Sequence, residues 1–239
     1  MKYYFIRPSL NKKILGHYPQ VKKIIHHCAV WEDPLFIDRF NFEKININPI
    51  ISNPVLHSNS KLTDFTDVRG DIGFLFKILI SGKLKSILEE NKTLGMQFFQ
   101  CSVFKESIEY IDYWILNYYD INYQFLDFKN SAIFVTTKFD KTNKLEIDNE
   151  NDFIQKQKEI AEEGYPKGLL IDNIAIKKEN NEHFFILQNI EGGTQYIVSE
   201  KLKKEIEDSN CRGIEFQPIE LSLAEWLHGG EREKIYGKA

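Results

Sequence analysis

The residues of this chain whose types could do chemistry are a His-His-Cys run, several clusters of acids, and a serine beside a lysine. His26-His27-Cys28 sets three metal-ligand types in a row. Adjacent residues of an extended segment point to opposite faces, and no CxxC or HxxxH set elsewhere supplies partners. The run therefore reads as a strand end with one buried side chain. Asp148-Asn149-Glu150-Asn151-Asp152, with Glu159 at the twelfth position, imitates a calcium loop. The sixth position, where the sharp turn needs Gly, is Phe153, so the imitation fails on geometry. Glu106, Glu109 and Asp112 are close in sequence, but nothing in their spacing pairs an acid with a base. No nucleophile elbow, phosphate-binding loop or dinucleotide fingerprint occurs. These observations predict no catalytic, cofactor-binding or metal-binding residues.

Ser81-Gly82-Lys83 places a hydroxyl beside an amine, but its context argues for structure. The stretch Ile78–Phe98, ILISGKLKSILEENKTLGMQF, is echoed without a gap by Tyr196–Phe216, YIVSEKLKKEIEDSNCRGIEF. Ser, Lys, Leu, Lys, Glu, Gly and Phe recur in register, seven identities in 21 positions, too many to leave the serine a lone nucleophile. Ser81 and Ser199 each stand where a helix N-cap belongs, with the hydroxyl able to accept from a first-turn amide. Leu84, Ile87 and Leu88 follow at helical spacing. In the second copy Ile87 becomes Glu205, leaving the narrower stripe Leu202 and Ile206 and a helix nearer the surface. Gly95 and Gly213 then reset the backbone before another apolar strand. Each copy reads as strand–helix–strand, and parallel neighbouring strands would need a right-handed connection.

Around these units the pattern predicts an opening strand over Lys2–Arg7, stopped by Pro8. Alternation predicts a half-buried strand over Phe42–Asn48. Phe74–Ile80 and Met96–Val103 read as the strands of the first unit. The aromatic, β-branched runs Tyr110–Tyr119 and Tyr123–Thr137 read as strands, Lys141–Asn151 as a loop, and Asp152–Glu163 as a polar helix ended by Gly164. His183–Gln188 reads as a strand and Gly192-Gly193 as a turn. Ser222-Leu223-Ala224-Glu225 is a capping box opening a helix over Leu223–His228. The tail from Gly229 to Ala239 is polar and reads as loose. The predicted class is α+β, with mixed sheets and two similar strand–helix–strand units, one in each half. Residues 1–239 are expected to form a single compact domain. Its halves are 1–139, with the first unit, and 140–239, with an acidic linker, the second unit and the C-terminal helix.

Bulk properties narrow the partners. A net charge of −4 and a pI near 5.9 argue against a non-specific nucleic-acid binder. No apolar run approaches the roughly 20 residues of a membrane helix, and MKYYFIRPSL is not a signal peptide. Three scattered cysteines fit reduced thiols in a cytoplasm. Asp140–Glu163 holds eight acids against four lysines, so this one segment carries a charge equal to that of the whole chain. It is either a solvated face or an acidic surface for a basic partner.

The order of these features resembles the eleventh immunity family of bacterial polymorphic toxin systems, or a closely similar immunity family. The resemblance rests on ISGKLKSILEE and VSEKLKKEIED, two Ser-x-x-Leu-Lys units, and on the intervening WILNYYDINYQFLDFKNS with Asn117, Asp127 and Ser131. It rests also on the ending Gly213-Ile214-Glu215-Phe216-Gln217-Pro218, and it spans roughly residues 70–220. The resemblance implies a cytoplasmic protein, without cofactor, that binds a cognate toxin encoded by an adjacent gene. It would neutralise that toxin by occluding its active site or by locking it in an inactive form, without catalysis and without nucleic acid or membrane. Interface energy concentrates in a few aromatic anchors. Trp31, Tyr110, Tyr113 and Tyr119, with Asp33, Asp112, Asp120, Glu146, Asp148, Glu150 and Asp152 as flanking acids, are the expected contacts, and Tyr118 is a further aromatic of the same run. A non-toxin binding or oligomeric scaffold and an enzyme with a cryptic site are the alternative classes.

Overall fold

The computed structural model describes residues 1–68, 76–92, 94–121, 123–191 and 193–238. Phe74, where the first unit's strand was expected to begin, and Gly192 of the expected turn lie outside them. In the N-terminal part come β1 (Tyr3–Pro8), α1 (Lys12–Leu15), β2 (Val21–Ile25), a 3-10 turn at Ile37–Arg39, β3 (Asn53–Leu56) and β4 (Phe65–Thr66). The middle holds β5 (Ile78–Ser81), α2 (Gly82–Asn91), β6 (Met96–Gln100), β7 (Val103–Lys105), β8 (Ile108–Tyr110) and β9 (Tyr113–Tyr118). Then follow β10 (Ala132–Thr137), β11 (Asp140–Leu145), α3 (Glu150–Glu163), β12 (Lys167–Asn173), β13 (Phe184–Ile190) and β14 (Gly193–Ser199). Last are α4 (Glu200–Asp208), β15 (Ile214–Pro218), α5 (Leu223–Leu227) and α6 (Glu231–Tyr236). The fold is α+β with mixed sheets.

Among the described residues three sheets form, in the orders β11-β10-β12-β13-β14-β1-β15, β2-β3-β7-β8 and β4-β5-β9-β6. In both strand–helix–strand stretches the two strands are not neighbours, so the condition for a right-handed crossover between them does not arise. β9 lies between β5 and β6, antiparallel to both. β1 lies between β14 and β15, again antiparallel to both. Each stretch thus leaves a gap one strand wide, filled by a segment distant in sequence. The boundary expected between the halves, at 139–140, falls in the tight connection of β10 to β11, inside one sheet.

The serine caps form as their spacing predicts. Leu84 N donates to Ser81 Oγ and Leu202 N to Ser199 Oγ, each at 3.2 Å. Gly95 and Gly213 have φ of +85° and +81°. A Cβ there would meet Asp120 Cβ at 2.4 Å or Thr63 Cβ at 2.5 Å, so glycine is required on two counts. α2 buries Leu84, Ile87 and Leu88, and α4 only Leu202 and Ile206. At roughly 2 kcal/mol per buried aliphatic side chain, α2 is the better-anchored helix. These residues join Ile80, Leu116, Tyr196, Val198 and Phe216 in one core shared by both stretches. A second core lies under α3, around Phe153, Phe185 and Ile197, and a third beneath the N-terminal sheet, around Ile37, Leu79 and Ile115.

Several expected elements differ. Phe42–Asn48 is not a strand: Ile45 N and O bond the Gln97 side chain at 2.8 Å each, so an amide replaces the ladder partner. Residues 141–145, expected as part of a loop over Lys141–Asn151, belong to the edge strand β11, whose charged, exposed residues hid it. Helix α3 begins two residues early because Asn149 caps it, accepting from Asp152 N at 3.1 Å. Tyr110–Tyr119 breaks at Ile111-Asp112 into β8 and β9, and Met96–Val103 breaks likewise, with Val103 starting β7 in another sheet. Tyr123–Ser131 is irregular, yet Tyr123, Phe125, Leu126 and Phe128 are buried against α3 and β13. The polar tail is ordered as α6: Arg232 Nε and Nη2 donate to Glu215 Oε2 and Oε1 at 2.6 Å each.

Candidate functional site

Trp31 stands on a turn built to hold it outward. Glu32 N and Asp33 N both donate to Ala29 O, and Asp33 Oδ1 accepts from Leu35 N at 2.9 Å. Phe36 and Ile37 anchor the turn from inside, and the indole is 83% exposed beside the exposed Leu35. This is an aromatic with an acid at its base, as expected of an anchor, and the carboxylate also holds the turn. His26 and His27, at the end of β2, are exposed and Cys28 half-buried, so none of the three is the expected buried side chain. His26 Nδ1 is bonded to Ser52 Oγ at 2.8 Å.

The β8–β9 segment carries the second set. Tyr110 is half-buried against the third core, with Ile108 and Ile111 exposed beside it. Asp112 is exposed, its Oδ1 accepting from Trp114 Nε1 at 3.3 Å. Tyr113 is taken up by the core: its hydroxyl donates to Thr63 O at 3.1 Å, and burial pushes its pKa up. Alternation along β9 sends it inward, and Tyr118 is buried too. At the far end, Tyr119 is half-buried and Asp120 is 3.6 Å from Lys92 Nζ. Asp112 and Asp120 therefore bracket β9.

Between those acids runs a groove of about 490 Å³, with Lys85, Glu89 and Lys92 on one wall and Met96, Phe98 and Trp114 on the other. Lys85 Nζ sits 5.2 Å from the Phe98 ring centroid and 4.8 Å from that of Trp114, so the ammonium is held over two π faces. Glu89 pairs with it at 2.7 Å. The groove was not foreseen, because β9 meets β6 only through pairing across sequence. The one available signal was the Lys and Phe shared by the two repeats.

The expected acidic linker is β11 followed by α3. Glu146 and Asp148 are exposed, and Asp148 lies 3.6 Å from Lys129. Glu150 Oε1 accepts from Tyr123 N at 2.8 Å, and Asp152 Oδ2 from Asn149 Nδ2 at 2.8 Å. Both sit in the first turn of α3, where carboxylates oppose the positive end of the helix dipole. Phe153 is fully buried in that helix, which removes the calcium-loop reading. Among the described residues no group of three or more His, Cys, Asp or Glu could hold a metal ion. Burial raises the Cys101 thiol to about 12 and Cys211 to about 11, which keeps both protonated at neutral pH.

Sequence reasoning missed one exposed aromatic pair. Phe139, 90% exposed, tips the β10–β11 hairpin, and Tyr165, 83% exposed, precedes β12. They share a corner, since Lys138 N donates to Pro166 O at 2.9 Å. Lys138 and Phe139 have φ of +52° and +74°, left-handed without glycine, so no turn signal marked them.

The residues of the resemblance, by contrast, hold the backbone. Asn117 is buried and donates to Glu43 O at 3.0 Å. Ser131 Oγ donates to Asp127 O at 2.7 Å and accepts from Ala175 N at 3.0 Å. Asp127 Oδ2 accepts from Asn130 Nδ2 at 2.8 Å. Among the described residues no helix is long and apolar enough to cross a membrane. No curated protein matches the chain. Residues 2–221 match the Immunity protein family (Imm11), a longer span than the motifs alone suggested.

Proposed function

Because the chain belongs to the Imm11 immunity protein family, we propose that it protects a bacterial cell by binding one cognate toxin and covering the toxin's active site. The family match over residues 2–221 carries this reading. An immunity role points to neutralisation rather than turnover. The protein acts in the cytoplasm, and the toxin is encoded by an adjacent gene. The contacts are the surface members of the expected set: Trp31 with Asp33, Tyr110 with Asp112, and Tyr119 with Asp120. Glu146, Asp148, Glu150 and Asp152 add negative charge that speeds encounter with a basic toxin more than it tightens the complex.

Co-expression with the adjacent gene's product tests the reading. Cells making that product alone should die, and cells making both should grow. A harmless product, or one whose toxicity persists beside soluble immunity protein, contradicts it.

A further inference from the structure

The stretches β5-α2-β6 and β14-α4-β15 correspond residue by residue around their central strands. Ser81 and Ser199 are 118 positions apart, as are Phe98 and Phe216. Ser81 faces Tyr113 and Phe98 faces Leu116; Ser199 faces Tyr3 and Phe216 faces Ile6. The outer neighbours agree, with Phe65 opposite Ile80 and Phe184 opposite Val198. Side chains agree as well. Lys203 Nζ lies 5.5 Å from the Phe216 ring and 5.2 Å from Tyr4, and pairs with Glu207 at 2.9 Å. It repeats the setting of Lys85 with Phe98, Trp114 and Glu89.

The two differ in what lies against the edge strand. Beside β15, Phe216 N donates to Tyr236 Oη at 2.9 Å. The space bordered by α4, β15 and Tyr236 is about 270 Å³. Helix α6, which presents Tyr236, is fastened by the buried Arg232–Glu215 pair. Beside β6 the corresponding space is the groove of about 490 Å³, and among the described residues only α2 with its cap Lys92, β6 and β9 line it. The chain itself therefore shows what fits such a groove: a tyrosine on a short helix.

We propose that the groove between α2 and β6 takes a tyrosine presented by the toxin on a short helix with a basic flank. The inference rests on the immunity reading and names the site of docking. The ring packs on Met96, Phe98 and Trp114, and the hydroxyl accepts from the Phe98 N–H, the counterpart of the Phe216 N–H. Asp112, exposed at one end of β9, and Asp120, paired with Lys92 at the other, meet the basic flank.

Glu89→Arg and Glu207→Arg test this as a pair. Both lie on a helix face and lose the same Lys pairing four residues back, so their costs to folding match. Binding of each variant to the catalytically inactivated toxin domain from the adjacent gene would be measured by titration calorimetry. Glu89→Arg, which fills the open groove, should bind at least about tenfold more weakly, and Glu207→Arg within about twofold of the unaltered protein. Met96→Arg, a second block of the groove at a residue packed against the first core, should weaken binding at least as much as Glu89→Arg. If Glu89→Arg and Met96→Arg bind like the unaltered protein, the docking site is wrong while the immunity reading stands. If the unaltered protein does not bind the domain, both fall.

Discussion

Lys77 is the most unusual single residue. Its ammonium is buried, donating to Phe40 O and Asn41 Oδ1 at 2.9 Å each, with Asp38 at 3.9 Å. Burial lowers its pKa to about 8, against the weaker opposing pull of Asp38 and Glu43. A lysine whose folded pKa lies below its unfolded value binds more protons when unfolded. Stability therefore rises with pH between about 8 and the unfolded pKa near 10.5. Urea unfolding of the protein and of Lys77→Met at pH 7.5 and 9.5 should show the unaltered protein gaining roughly 2 kcal/mol relative to the variant. No gain would mean that the ammonium is not buried as described. Nothing in the run around Lys77 announced this role, because its partners come from a loop more than thirty residues upstream. The same holds for Arg232, in a tail whose polarity suggested solvent, though its guanidinium forms a bidentate pair with Glu215. Such pairing is read from geometry, whereas the capping box of Ser222 and Glu225 was legible because both partners lie within one turn.

Elements were legible where their determinants are local. The caps at Ser81 and Ser199 and the helical stripes of α2 and α4 are all short-range. Elements that depend on distant partners were not. β11 is an edge strand of charged residues, held by pairing to β10 alone. The Phe42–Asn48 alternation found a side-chain amide in place of a strand. The β10–β11 hairpin turns through two left-handed residues, Lys138 and Phe139, without the glycine such turns favour. Left-handed backbone costs an ordinary residue about 1–2 kcal/mol, more than the ~0.5–1 kcal/mol of extra chain entropy that glycine brings. Phe139 is exposed and gives up no packing, so Phe139→Gly should stabilise by up to about 1 kcal/mol in thermal or urea unfolding. A loss of stability would show that the ring packs in a way its exposure does not suggest.

At the scale of the molecule, two helix-bearing units share one core, and separate structures cover their outer faces: α3 and its strands on one side, the N-terminal sheet on the other. The repeated phrase pointed to the units but not to the strands that complete them, because β1 and β9 lie outside the repeats. For the same reason only the Lys and Phe shared by the repeats hinted at the groove flanking β9, although Asp112 and Asp120 at its ends were named on other grounds. In the proposed complex, exposed aromatics such as Trp31 and the open groove would bury toxin side chains, and the acids around them would favour a basic partner. A standard inhibitor interface of about 1,600 Å² would use this surface once, giving one toxin per chain. The most direct test is to titrate purified toxin with this protein while following the toxin's own activity. Activity should fall to zero at one equivalent, with a co-eluting complex of nanomolar affinity. Full toxin activity in the presence of excess folded protein, with no complex on a sizing column, would contradict it.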